Sequence, residues 1–120
     1  MLADLKELKV HEVLRKASRL IETKGLARGM HQDPDTKEID IEGAIMLACG
    51  AKELSVLVAK VDSVVPLARL AQFDATLDLL DLASPGKNVS EWNDLEETTQ
   101  EQVLQFLETW AVAVSSAVYA

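Results

Sequence analysis

Val10, Val13, Leu14, Ala17, Leu20 and Ile21 return every three or four positions, while Glu12, Arg15, Lys16, Arg19 and Glu22 fill the gaps between them. That rhythm matches an α-helix with one apolar face, so the first clear element is an amphipathic helix. Leu2, Leu5 and Leu8 either extend it backwards or form a separate turn. Lys24-Gly25 supplies the ending, a basic last turn followed by a glycine able to take the left-handed conformation. From Leu26 to Ile41 the helical period is lost, and Asp33-Pro34-Asp35-Thr36 is a turn signal between segments able to pair, which predicts a loop or short β-hairpin. Asp40-Ile41-Glu42 leads into a helix from Gly43 to Leu54, rich in small residues (Ala44, Ala48, Ala51) that allow close packing.

Ser55 to Val65 carries Val56, Val58, Val61, Val64 and Val65 and satisfies neither the helical nor the strand period; the reading leans to helix. Pro66 suits the first turn of the next helix, Leu67 to Ala83, whose stripe is Leu70, Phe73, Leu77 and Leu80 and which Ser84-Pro85-Gly86 stops. Trp92-Asn93-Asp94 reads as a loop ahead of a last helix from Thr99 to about Val118, with Val103, Phe106, Leu107, Trp110, Val114 and Ala117 on its buried face. Thr99 and Gln102 have the spacing of a reciprocal capping box, in which each residue bonds the other's backbone amide. The pattern predicts a mainly α fold: one domain over residues 1–120, a compact bundle of four to five helices with a short β-hairpin or irregular insertion around residues 26–41.

Length and composition agree with that picture, since 120 residues with 48% apolar and 27% charged side chains are those of a folded single domain and not of a disordered chain. The formal charge of -8 disfavours nucleic acid, whose binding rests on Lys and Arg displacing counterions from phosphates. Basic residues are nevertheless concentrated between Lys6 and Arg28, leaving a local basic patch on the first helix. Met1 to Val10 carries Asp4 and Glu7 where a secretory signal would be cationic and then apolar, and no apolar run is long enough to cross a bilayer. A cytoplasmic place and no membrane contact are therefore expected. Cys49 stands alone, so no internal disulfide forms.

Val13-Leu14-Arg15-Lys16-Ala17 with Gly25, Cys49-Gly50-Ala51, and Trp92-Asn93-Asp94 followed by Thr99-Gln100-Glu101-Gln102-Val103-Leu104 occur in an order that resembles a small domain-of-unknown-function family seen in actinobacteria and their phages. The resemblance spans most of the chain. It implies a small helical accessory protein, of the kind carried by mobile elements, and it transfers no catalytic residue.

The candidate chemistry is sparse. Asp74, Asp78 and Asp81 share a helix face by spacing and would form an acidic solvated surface or, with further ligands, a cation site. His11 and His31 stand in no zinc-binding pattern; His11 is expected at the surface, and His31 lies near Arg28 and Asp33 in the 26–41 loop, the one candidate ligand loop. Cys49 and Gly50, among small residues, read as a packing device with a buried thiol, and Asn93 and Asp94 as satisfying loose amides in a turn. Trp92 either packs on the last helix or anchors an interface. The expected role is a non-catalytic protein-binding accessory or regulatory module without cofactor or metal, its partner another protein or a second copy of itself, and its candidate interface Asp74, Asp78, Asp81 and Trp92. Two alternatives are an acidic inhibitor or nucleic-acid mimic, and a small-molecule binder or enzyme built on the 26–41 loop.

Overall fold

The computed structural model describes residues 2–52, 54 and 65–117. The expected helix over Ser55–Val65 thus lies outside the described residues apart from Val65, which is buried.

Among the described residues there are six α-helices, four of them of seven residues or more, and no strand. In chain order they are α1 (Leu2–Glu7), α2 (Val10–Lys24), α3 (Ile41–Ala48), α4 (Leu70–Ala83, entered through a 3-10 turn at Leu67–Arg69), α5 (Val89–Asp94) and α6 (Gln100–Ser115). The fold is mainly α, and the two shortest helices account for the excess over the expected number.

The N-terminal leucines form a separate helix. Leu8 and Lys9 donate back to Asp4 and Lys6 and close α1, and Lys9 then turns the chain with φ 60° and ψ 35°, a left-handed conformation that ends one helix and redirects the next. Helix α2 is the centre of the molecule: Val10, Val13, Leu14, Ala17 and Ile21 are buried, and the helix packs chiefly along α6 and α3. It ends at Gly25, whose φ of +92° suits glycine and whose amide donates to the Ile21 carbonyl at 2.7 Å.

Helix α3 differs from its expected span at both ends. It begins earlier because Asp40 caps it, accepting from the Gly43 amide at 2.6 Å. It stops at Ala48 because Gly50, at φ +100°, closes a Schellman turn: the Gly50 amide donates to Leu47 O and the Ala51 amide to Met46 O. Gly50 is therefore a helix terminator, with Pro66 packed over it, rather than a thinning of the helix wall.

The 26–41 insertion is irregular and not a hairpin. Only isolated bridges occur, Leu26 with Ile39 and Gln32 with Ile39, which hold Ile39 fully buried in the core. The Asp33 carboxylate accepts from the Asp35 and Thr36 amides, while the arms of the turn pair only briefly, Asp33 N donating to Glu38 O at 2.8 Å and Asp40 N to His31 O at 3.0 Å, without reaching strand length.

The stretch Trp92-Asn93-Asp94, expected as a loop, is the last turn of α5, which Asn88 caps by accepting from the Glu91 amide at 2.8 Å. The capping box of α6 forms with both bonds, Gln102 N to Thr99 Oγ1 at 3.2 Å and Thr99 N to Gln102 Oε1 at 3.0 Å. Val103, Leu107, Ala111 and Val114 are its buried stripe, and Phe106 and Trp110 are partly buried beside it.

Candidate functional site

Two places gather polar side chains or leave apolar ones open. The first is the seam between the 26–40 insertion and α5. Asn93 is its hub: its Oδ1 accepts from the Ile41 amide at 3.0 Å, and its Nδ2 donates to the Ala27 carbonyl at 2.9 Å and to Asp94 Oδ1 at 3.0 Å. Asp94 in turn accepts from the Gly29 amide at 2.8 Å. One turn of helix therefore ties the insertion to the start of α3 through buried backbone groups, which must be paired wherever water is excluded.

The residues of the candidate ligand loop have separate duties. Arg28 donates from Nε to Leu95 O at 3.2 Å and from Nη2 to Thr98 O, bracing the α5–α6 connection. Asp33 is bound up in its own turn, where the Asp35 and Thr36 amides hold its carboxyl below the usual range. His31 is half-buried and faces the Asp40 carboxylate through Nδ1 at 3.2 Å. Each of the three bonds to a different group, and the insertion serves as a strap across α3 and α5.

The His31–Asp40 pair has a measurable consequence. The hydrogen bond to Asp40 raises the His31 pKa above its ordinary 6.5, against partial burial, which lowers it. Glu42, whose Oε2 accepts from Ser90 Oγ at 3.3 Å, is also raised, chiefly by burial. In both cases the native state holds its proton more tightly than the unfolded chain, so stability falls as pH rises through the native value. For His31 the contribution is complete below pH 6.5 and is lost above it. Urea midpoints are expected to decline from pH 6 to pH 8 (about one unit on either side of a histidine's titration), and His31→Gln to flatten that decline. An unchanged slope in the variant would assign the pH dependence elsewhere.

His11 is half-buried and not at the surface, with an enclosed Nδ1 that makes no hydrogen bond to the described residues. Cys49 is buried beneath the end of α3, and burial pushes its thiol up to about 11, which leaves it protonated and unreactive at neutral pH. Among the described residues no group of three or more His, Cys, Asp and Glu side chains is placed to hold a metal ion.

The second place is a groove of about 510 Å³ between α1 and α4, lined by Leu5, Leu8, Ala75, Leu79 and Leu82, with Asp4 and Asp78 at its edges. Ala75, Leu79 and Leu82 fall at i, i+4 and i+7, a second apolar stripe on α4 beside the inward one of Phe73, Thr76 and Leu80. Leu82 is 89% exposed, the largest exposure among the large hydrophobic side chains described. The Gln72 side chain donates to Leu8 O at 2.9 Å and ties α4 to the end of α1.

The acidic row of α4 divides in function. Asp74 and Asp78 are exposed alongside the groove, whereas Asp81 is half-buried and accepts from the Val89 amide at 2.9 Å, bracing the start of α5. Trp92 is 8% exposed and stacks edge-on against Phe106 with centroids 4.8 Å apart, so its ring is spent on the core. The second stripe of α4 was readable in the sequence as Ala75-Leu79-Leu82, but its pairing with Leu5 and Leu8 was not, because it depends on where the Lys9 turn sends α1.

Among the described residues no helix is long and apolar enough to cross a membrane. No curated protein and no solved structure matches the chain. A family described as "Family of unknown function (DUF6197)" matches residues 6–113, a span running from the end of α1 through nearly all of α6. The chain thus belongs to DUF6197, a family of unknown function.

Proposed function

We propose that this protein is a non-catalytic binding module whose α1–α4 groove receives an amphipathic helix of a partner protein, with apolar anchors on one face and Lys or Arg beside them. The observation that carries the reading is the groove itself. Three apolar side chains of α4 at helical spacing, Ala75 and Leu79 partly buried and Leu82 exposed, line the groove opposite Leu5 and Leu8, in the form that helix-in-groove recognition uses. Charge complementarity selects the partner. Asp74 and Asp78 run along the open side of α4, and the chain as a whole carries -8, so a helix with basic flanks is attracted and one with acidic flanks repelled. The motif resemblance supports a cytoplasmic accessory protein of a mobile element as the setting.

The test is an NMR titration of the isotopically labelled protein with two helical peptides that share a leucine stripe and differ in lysine or glutamate flanks. The lysine peptide is expected to shift the resonances of Leu5, Leu8, Ala75, Leu79 and Leu82 and to bind more tightly than the glutamate peptide. Leu79→Glu is expected to weaken it by roughly tenfold or more, since burying one leucine contributes about 1.5–3 kcal/mol. Shifts away from the groove, equal binding of both peptides, or a Leu79→Glu variant that binds unchanged would each overturn the proposal. So would sedimentation showing a dimer that Leu79→Glu dissociates, which would make a second copy the occupant.

A further inference from the structure

On the other side of the Leu8–Lys9 turn lies a cavity of about 360 Å³ between α2, the end of α3 and the 3-10 turn. Lys9, Lys16 and Arg69 line it, with Glu12 the one carboxylate among the described lining residues. We infer that this cavity is a binding site for a small phosphate-bearing ligand, held as a dianion by Lys9, Lys16 and Arg69.

Three observations bring the cations together. Glu12 and Lys16 lie one turn apart on α2, and Lys9, in the left-handed turn just before that helix, lines the same cavity. Arg69 reaches that wall from the opposite side and is held in place: its Nε donates to Gln72 Oε1 at 2.6 Å and its Nη2 to Ala48 O at 3.3 Å. Gln72 is fixed in turn by its bond to Leu8 O, so the guanidinium is oriented through two successive contacts, and neither bond of Arg69 uses Nη1. Finally, the charges of Arg69 and Lys16 both act on the buried Cys49 thiol, which places them around one point at the end of α3.

Drawing three like charges to one cavity is unfavourable, and Arg69 adds its charge to Lys9 and Lys16 of the basic Lys6–Arg28 stretch. A bound anion removes that repulsion. Among the described lining residues three cations against one carboxylate leave a net charge of two positive, the match for a phosphate monoester, which is close to dianionic at neutral pH. A planar guanidinium with a fixed orientation adds the paired donors that phosphate oxygens accept, and the lysines act as point charges.

The test is an NMR titration at low ionic strength with inorganic phosphate and, separately, glycerol phosphate, each against sodium chloride of equal ionic strength. Both phosphates are expected to give saturable shifts at Lys9, Lys16, Arg69 and Gln72 while chloride does not. Tighter binding of glycerol phosphate would identify an organic monoester as the ligand class, and equal binding the free ion. Lys16→Ala, on an exposed helix face, is expected to weaken binding about tenfold with the melting temperature unchanged, as for loss of one charge-assisted contact. Arg69→Lys, which keeps the charge and loses the planar fork, is expected to weaken it as well. Chloride reproducing the shifts, no saturation, or full affinity in Lys16→Ala would overturn the inference.

Discussion

Asn93→Ala is expected to destabilise the fold by about 2–4 kcal/mol, because it leaves two backbone groups without their partner and each costs about 1–3 kcal/mol when buried and unpaired. Those groups are the Ile41 amide and the Ala27 carbonyl, both bonded to an Asn93 side chain that is only 1% exposed. Leucine, close to asparagine in reach, is expected to do no better, since it brings neither donor nor acceptor. Asp94→Ala is the comparison: its carboxylate accepts from Gly29 at an exposed site where water replaces the bond, and a loss within about 1 kcal/mol is expected. Urea unfolding of the two variants decides the matter. If Asn93→Ala loses no more than Asp94→Ala, the hub is not what joins the insertion to α3.

Gly43→Ala is expected to destabilise the protein by about 2 kcal/mol, although alanine is the better helix former by about 1 kcal/mol. A Cβ at this position would stand 2.5 Å from the His31 carbonyl oxygen, 2.9 Å from Asp40 Oδ1 and 3.0 Å from Leu54 Cδ1. The first of these is backbone, and it accepts from the Asp40 amide at 3.0 Å, so relief of the clash must move the strap that carries both the α3 cap and the His31–Asp40 pair. The steric penalty and the weakened cap together outweigh the gain in helix propensity. The variant is also expected to lose the decline of stability between pH 6 and pH 8 (the range of an ordinary or raised histidine), because His31 would no longer sit against Asp40. Gly29→Ala provides the contrast: it has φ +75° but open space around it, so it bears conformational strain alone and leaves the pH dependence intact. A Gly43→Ala protein as stable as the parent would mean that the insertion moves aside freely.

The groove and the cavity lie on either side of one turn, Leu8 lining the first and Lys9 the second. The left-handed Lys9 is what permits this, since a continuous helix from Leu2 to Lys24 would carry the leucines along the α2 axis and away from α4.

What the sequence determined by itself is local. The stripe from Val10 to Ile21, the stop at Gly25, the stripe of α6 and the Thr99–Gln102 box are each written within a few neighbouring positions, and helical bonds reach no further than that. The mainly α class follows from those patterns. The tertiary structure decided the rest because its causes are distant in the chain. Helix α5 has six residues, too few to display a period, and the partners of its Asn93, Ile41 and Ala27, stand 52 and 66 positions away. The 26–41 segment had turn residues suited to a hairpin, and its arms do meet at Gln32 and Ile39, yet with Ile39 drawn into the core beside Leu26 and Asp40 committed to α3 the pairing stops short of a strand. Arg69 joins Lys16, and Leu82 faces Leu5, by the same route: charge and hydropathy are properties of residues, but a site is a property of which residues the packed chain brings within reach.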